Sequence, residues 1–144
     1  EMCIRDRRKT LLHQAKRLGV AHAVHIQPGM SFEQLALHFR AADLVIYPSY
    51  YEGQGLIPLE ALASGTPVVT VNQPPLTEMI DDEVGGLFTC GDHEDLARAV
   101  NHSLHHPEER VKQMEKGRQR VLDRFTYEHN AAAYEAIYAA LLDE

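Results

Sequence analysis

Short apolar runs alternate with stretches of helical periodicity along this chain of 144 residues. Residues 44–47 and 67–71 are apolar runs typical of strands buried on both faces of a parallel sheet, and shorter strands are expected at 23–26 and 86–89. Helices are predicted at 8–18, 31–41, about 58–64, 92–105, 107–124 and 127–142, with a single helical turn at 76–80. Strands that alternate with helices predict an α/β fold, a Rossmann-like parallel sheet with helices on both faces.

Residue types at the predicted helix ends support these bounds. Asp92 and Thr126 are of the type that caps helix N-termini, and Pro107 suits a first helical position. Gly65 suits the position just past a helix end. Gly117 lies inside a predicted helix, where glycine lowers helix stability, so we expect a weak point there.

The segment between the two buried runs carries the candidate chemistry. Gly53 and Gly55 form a glycine-rich loop, and Pro58 suits the first turn of the helix that follows. A glycine loop that leads into a helix presents unpaired N–H groups and a positive dipole end, which favours a phosphate. Glu52 in the loop and Glu60, expected in the first helical turn, could accept hydrogen bonds from sugar hydroxyls. The segment therefore predicts a nucleotide-sugar site.

Residues 48–69 read P-S-Y-Y-E-G-Q-G-L-I-P-L-E-A-L-A-S-G-T-P-V-V. This stretch resembles the signature of the retaining, two-domain GT-B glycosyltransferases related to glycogen and sucrose synthases. Glu52 and Glu60 have the family's spacing, with seven residues between them, and Gln54 replaces the usual aromatic residue. Residues 32–43, 85–88 and 91–100 also follow the family pattern, and the resemblance extends from about Lys9 to the end of the chain.

The resemblance implies a transferase that moves a sugar from a nucleoside-diphosphate sugar to an acceptor with retention of anomeric configuration. Glu52 is then the catalytic residue at the donor sugar, which it orients or whose developing positive charge it stabilises. The implied donor-binding residues are Gly53, Gln54, Gly55, Leu56 and Glu60, with Glu60 accepting from the ribose. The alternatives are an exposed loop acid for Glu52, a helix-dipole acid for Glu60 and a simple tight turn for the glycines.

Other polar groups give weaker indications. His102, His105 and His106 have spacing that could ligate zinc, but no cysteine or carboxylate at matching spacing completes a site, so an exposed polar face is favoured. The resemblance implies a metal-independent transferase without a cofactor. Residues 27–30 could line the base of the nucleotide. Glu78 matches a recurrent family glutamate without an assigned role, and the acids at 81–83 are expected to form a solvated turn.

Composition restricts the partners. A net charge of −7 disfavours nonspecific binding to nucleic acid or to an anionic membrane. Two cysteines make no disulfide framework, and no apolar run is long enough for a transmembrane helix. We therefore expect a cytoplasmic protein.

The chain's organisation is expected to be incomplete. Residues 1–7 are interpreted as non-native or frayed, and residues 8–144 as the C-terminal, donor-binding GT-B domain, truncated at its N-terminus. The resemblance implies that an acceptor-binding domain and the basic residues that grip the diphosphate lie before Arg8, so the chain alone should be inactive. The last predicted helix has a broad apolar face, part of which we expect to be exposed. A GT-B nucleotide-sugar epimerase and a binding module without catalysis remain as alternatives.

Overall fold

The computed structural model describes the backbone of residues 2–142 and the side chains of residues 7–142. The chain separates into two compact units, one extending to Phe32 and the other beginning at Glu33. Each unit has its own local structure.

The first unit contains one long helix, α1 (Met2–Arg17), and a short 3₁₀ turn (Ala21–Ala23). The helix predicted at 8–18 is confirmed, and it begins earlier than expected. The strand predicted at 23–26 is wrong, because residues 24–31 have no regular structure. A short apolar run forms a stable strand only when a neighbouring strand completes its hydrogen-bond ladder. The described strands of the chain pair only with one another.

The remaining elements alternate in the order expected for an α/β fold. They are α2 (Phe32–Ala41), β1 (Val45–Tyr47), α3 (Leu56–Ala63), β2 (Val68–Val71), a 3₁₀ turn (Leu76–Glu78), β3 (Gly85–Phe88), α4 (His93–His105), α5 (Pro107–Arg124) and α6 (Tyr127–Leu142). The strands form a parallel sheet in the order β1-β2-β3. Val45 lies opposite Val68, which lies opposite Gly85. The predicted parallel α/β architecture with flanking helices is confirmed.

The core of the second unit is centred on β2 and α3. All four residues of β2 are buried, as a central strand covered on both faces requires. The buried residues of α3 are Pro58, Leu59, Ala61 and Leu62. Because α3 contacts both the sheet and α5, the glycine-rich loop that precedes it is joined to the buried core of the unit.

Gly117 allows α5 to approach α3 closely. A Cβ atom at this buried position would lie 2.7 Å from Cδ2 of Leu62, well inside van der Waals contact. The sequence predicts a weak point here, and the helix is nevertheless continuous from Pro107 to Arg124. The small residue that lowers helix propensity is therefore required by packing between helices.

Ion pairs fasten α5 to the turn at 81–83. Arg120 lies 2.9 Å from the carboxylate of Asp81 and 3.6 Å from that of Glu83, and Lys116 lies 2.9 Å from Glu83. Partial burial raises the pKa of Asp81, but the hydrogen bond and charge of Arg120, together with hydrogen bonds from the backbone of Glu83 and Val84, leave the pKa lowered. The expectation of a solvated turn is confirmed, since Asp82 and Glu83 are exposed, and two of its three acids also form ion pairs with α5.

The local capping signals act as expected. The Asp92 carboxylate accepts hydrogen bonds of 3.0 Å from the amides of Glu94 and Asp95 at the start of α4. Gly65 adopts a φ of 79° after α3, the left-handed conformation that glycine tolerates best. No helix within residues 2–142 is both long and apolar enough to cross a bilayer.

Candidate functional site

The glycine-rich loop leaves the carboxyl end of β1 and enters α3. This edge is where parallel α/β sheets bind their ligands. The end of β1 is firmly held, because the buried Thr70 hydroxyl donates a 2.9 Å hydrogen bond to the carbonyl oxygen of Tyr47. Tyr47 also lies opposite Thr70 in the sheet register. The loop therefore starts from a residue that is held by the central strand β2.

Glu52 is half-buried in this loop, and its carboxylate is held from the strand. The Tyr47 hydroxyl donates a hydrogen bond to Oε1 of Glu52. This bond, together with the Ser49 hydroxyl, lowers the pKa of Glu52 below its usual range. Burial and then the neighbouring carboxylate raise the pKa of Tyr47 to about 12. At neutral pH the pair is therefore a neutral phenol that donates to an ionised carboxylate, which differs from a free, exposed loop acid.

The fold requires glycine at one of the two glycine positions of the loop and not at the other. Gly55 is the N-cap of α3 with φ 86°, and a Cβ atom there would lie 2.6 Å from Cδ2 of Leu76. The fold of the chain therefore requires glycine at this position. A Cβ atom on Gly53 would meet no atom within 4 Å, and its φ lies outside the left-handed region. The described fold places no steric demand on Gly53, so its side-chain-free backbone faces open space.

The N-terminus of α3 has no side-chain cap. Gly55 cannot supply one, and no side-chain hydrogen bond caps this end of the helix. Leu56, the first helical residue, is exposed. The backbone N–H groups of the first turn and the positive end of the helix dipole are thus accessible to an anion beside Glu52.

Glu60 lies one turn further into α3 than the sequence indicates. The prediction of a first-turn position is wrong, because left-handed Gly55 starts the helix at Leu56 and no acid lies in its first turn. Pro58 is still within the first turn, where its missing N–H costs no hydrogen bond. An acid in the second turn gains little from the helix dipole, so this alternative for Glu60 loses support. Glu60 is half-buried between the buried Leu59 and Ala61.

A groove of about 480 Å³ lies beside the loop. Residues of the α5–α6 junction form its other wall, and sequence reasoning did not select any of them for this site. The groove is lined by Gln54, Leu56, Leu59, Arg124, Phe125, Thr126, Tyr127, His129, Asn130 and Ala133. The long sequence separation between its two walls explains why no local motif indicated the groove.

Two other candidate positions of the sequence are exposed in the structure. Residues 27–30 belong to the first unit and are exposed. Glu78 is exposed at the end of the 3₁₀ turn that includes Leu76, the residue packed under Gly55. The role of residues 27–30 at the base of the nucleotide stays a prediction, and Glu78 stays without an assigned role.

The histidines of α4 cluster elsewhere in the second unit. The Nδ1 atoms of His102 and His106 lie 3.1 Å apart, and Glu109 lies 3.5 Å from Nε2 of His102. Within the part of the chain whose side chains are described, no group of three or more His, Cys, Asp or Glu residues could hold a metal ion. The predicted metal independence of the reaction is a separate matter and stays a prediction.

Comparison with known families identifies the family to which this chain is similar. The family model described as "Glycosyl transferases group 1" matches residues 4–120. The chain is 35% identical over 123 residues to the MMP alpha-(1->4)-mannosyltransferase of Mycolicibacterium hassiacum. That match covers 84% of this chain and 30% of the mannosyltransferase. The chain thus spans about a third of this curated relative's length.

Solved structures have the same fold. Sucrose-phosphate synthase from Thermosynechococcus elongatus superposes with a TM-score of 0.85 at 29% identity, covering 96% of this chain and 35% of that one. Anabaena HepE in complex with UDP superposes with a TM-score of 0.84 at 25% identity, covering 94% of this chain and 37% of that one. Both matches extend over nearly all of this chain and about a third of the solved protein.

Proposed function

We propose, since this chain belongs to the glycosyl transferases group 1 family, that it forms the donor-binding half of a sugar-transferring enzyme. The donor is a nucleoside-diphosphate sugar, and transfer to the acceptor retains the anomeric configuration. The observation that carries the proposal is the Glu52 carboxylate, which accepts a hydrogen bond from Tyr47 beside an uncapped helix N-terminus. The helix N-terminus can stabilise an anionic leaving group, and the carboxylate beside it can stabilise positive charge on the sugar.

The first turn of α3 binds the diphosphate. The N–H groups that follow Gly53 donate to phosphate oxygens, and the helix dipole stabilises their negative charge. Open space around Gly53 lets the phosphates approach the backbone, because no side chain lies in their path. A diphosphate bound here is also the leaving group, so the same N–H groups stabilise the charge that develops on it when the glycosidic bond breaks.

Glu52 faces the sugar. As the bond from the anomeric carbon to the diphosphate oxygen breaks, positive charge develops on the sugar ring, and an ionised carboxylate stabilises it. The acceptor oxygen then bonds to the same carbon from the same face, and its proton passes to the departing phosphate. We assign Glu52 an electrostatic and orienting role in this transfer, without a covalent intermediate.

The remaining residues fix the donor. Gln54 borders both the loop and the groove, where its amide can donate to and accept from sugar hydroxyls. Glu60 accepts hydrogen bonds from the ribose, a role that its half-buried position in the second turn of α3 supports. The UDP complex of HepE, a protein with the same fold, supports a nucleotide ligand for this half.

The partner of this half is an acceptor-binding domain of the same enzyme. The chain spans 30% of the mannosyltransferase it matches and 35% of sucrose-phosphate synthase, which leaves ample length in such proteins for a second domain. We expect the transfer to require neither a metal nor a cofactor, and we expect the enzyme to work in the cytoplasm.

The two glutamates provide the test, made in the intact enzyme that carries this chain. Glu60→Ala should weaken nucleoside-diphosphate binding by about 1–3 kcal/mol, the cost of unpaired buried hydrogen bonds, in titration calorimetry. Glu52→Gln should leave that affinity unchanged and lower turnover by about 100-fold or more. Glu78→Gln, an exposed acid outside the loop, is the control and should change neither quantity.

Unchanged nucleotide affinity in a folded Glu60→Ala enzyme would overturn the ribose assignment. Unchanged turnover in Glu52→Gln would overturn the catalytic one. Nucleotide binding without transfer to any acceptor would instead favour a binding module, and interconversion of free nucleotide sugars would favour an epimerase.

A further inference from the structure

We infer that Tyr47 is a positioning residue that fixes the Glu52 carboxylate through its phenol hydroxyl. The inference rests on the proposed function of Glu52 and adds a residue outside the loop motif. Tyr47 is the last residue of β1, and the chain turns back over five residues so that the Glu52 carboxylate meets its hydroxyl. The group that holds the carboxylate therefore belongs to the sheet.

Tyr47 can act as a support because Thr70 of the neighbouring strand β2 holds its backbone in two ways. It pairs with Thr70 in the parallel register of β1 and β2. The fully buried Thr70 hydroxyl donates to its carbonyl oxygen at 2.9 Å. A hydrogen-bonded path thus runs from the central strand through the phenol to the carboxylate, and each member is fixed by the one before it.

The loop itself offers Glu52 little other support. The Ser49 hydroxyl donates to the carbonyl oxygen of Tyr51 at 3.1 Å, which stabilises the turn. Tyr50 and Tyr51 are exposed, at 72% and 90%. Without the phenol, the Glu52 side chain would depend on the loop backbone and the Ser49 hydroxyl for its position.

The charges of the pair suit this role. A phenol donates only while it keeps its proton, and burial beside a carboxylate keeps the Tyr47 proton in place to a pKa of about 12. The Tyr47 hydroxyl binds Oε1 of Glu52, and the proposed transfer assigns Oε2 to the sugar. A carboxylate fixed by one oxygen presents the other in a constant direction, which is the arrangement that preorganised electrostatic catalysis requires.

The first test measures the carboxylate directly in this chain, without substrate. Tyr47→Phe removes only the hydroxyl, and carboxyl ¹³C NMR should then show the pKa of Glu52 raised toward its ordinary value, because its first cause of depression is lost. Tyr51→Phe is the matched control, an exposed tyrosine in the same loop, and should leave the titration of Glu52 unchanged. An unchanged Glu52 titration in a folded Tyr47→Phe chain would overturn the inference.

A reciprocal measurement covers the case in which Tyr47→Phe does not fold. Glu52→Gln should lower the pKa of Tyr47 from about 12 in tyrosine ring ¹³C NMR, although burial still keeps it above 10. Glu52 lies outside β1, so its substitution should leave the strand intact. A Tyr47 titration identical to that of the unaltered chain would also overturn the inference.

Kinetics in the intact enzyme separate positioning from the function of Glu52 itself. Tyr47→Phe should lower kcat by about 10- to 100-fold, the range for a displaced catalytic group, with unchanged nucleotide affinity. In the Glu52→Gln background the same change should cost nothing further, since the two residues act as one unit. Additive losses would overturn the inference. A shifted Glu52 titration with normal turnover in both single variants would confirm the hydrogen bond and overturn the proposed function of Glu52.

Discussion

Two apolar helices of this chain, α3 and α6, differ completely in burial. Four of the eight residues of α3 are buried against the sheet and α5. None of the sixteen residues of α6 is buried. Tyr134, Ile137, Tyr138 and Leu141 form a stripe along α6 that is between 55% and 64% exposed. Apolar residues thus allow a helix to be buried, but whether they are buried depends on the presence of a packing partner.

The exposed stripe confirms the expectation from the sequence that part of the apolar face of the last helix would be exposed. Its aromatic members stack on each other, with the ring centroids of Tyr134 and Tyr138 6.3 Å apart. A contiguous apolar surface of this kind marks an interaction site. The site loop, by contrast, is attached to α3, whose apolar residues are buried, so the two helices differ in whether the described residues cover their apolar side chains.

The largest effect should come from truncating the same side chain in the two helices. Leu62→Ala in α3 should lower the free energy of unfolding by about 2–5 kcal/mol, because Leu62 is fully buried and leaves a cavity. Leu141→Ala in α6 should change it by less than about 0.5 kcal/mol, since that side chain is 64% exposed. Urea unfolding of both variants checks the comparison, and equal losses of unfolding free energy would contradict it.

The next largest effect is expected from substituting the two glycines before α3, which should change stability to different extents. Gly55→Val should destabilise the chain by about 1–3 kcal/mol, because valine must adopt φ 86° and would press against Leu76. Gly53→Val should leave the unfolding free energy nearly unchanged, since its Cβ atom meets open space. If nucleotide binding is lost in Gly53→Val while its thermal unfolding stays normal, the open space serves the ligand. Normal binding in that variant would remove the proposed role of Gly53.

A smaller effect concerns the α6 stripe. We expect the isolated chain to self-associate weakly through it, so that sedimentation velocity at rising concentration shows reversible dimerisation. Leu141→Glu should weaken this association by about tenfold, because a charge must then be buried in the contact. Ala136→Glu adds the same charge outside the stripe and should have little effect. A strictly monomeric chain at high concentration would contradict this use of the stripe.

Signals that act over a few residues could be predicted from the sequence. The Asp92 cap depends on amides two and three residues away, and the turn at Gly65 depends on its own backbone. The loop motif, the parallel strands and the later helices also follow from local pattern. These features depend on interactions between residues close in sequence, so a single sequence is enough to predict them.

Long-range contacts could not be predicted in this way. The fit of Gly117 against Leu62 and the attachment of Arg120 to Asp81 join residues far apart in sequence. The bond from Tyr47 to Glu52 spans five residues, yet it depends on how the loop returns to the strand. The sequence predicts a start of α3 near residue 58, whereas the helix begins at Leu56, because nothing in the local sequence shows that Gly55 adopts a left-handed conformation.

The most direct test of the donor-binding account is to find which backbone amides respond to a nucleotide. A ¹⁵N-labelled chain would be titrated with UDP, GDP and ADP at millimolar concentrations, and its amide resonances followed by NMR. The account predicts that one of these nucleotides shifts the resonances of Gly53, Gly55, Leu56 and Glu60, and that Glu60→Ala weakens this response. The absence of shifts with all three nucleotides, or shifts confined to the histidines of α4, would contradict it.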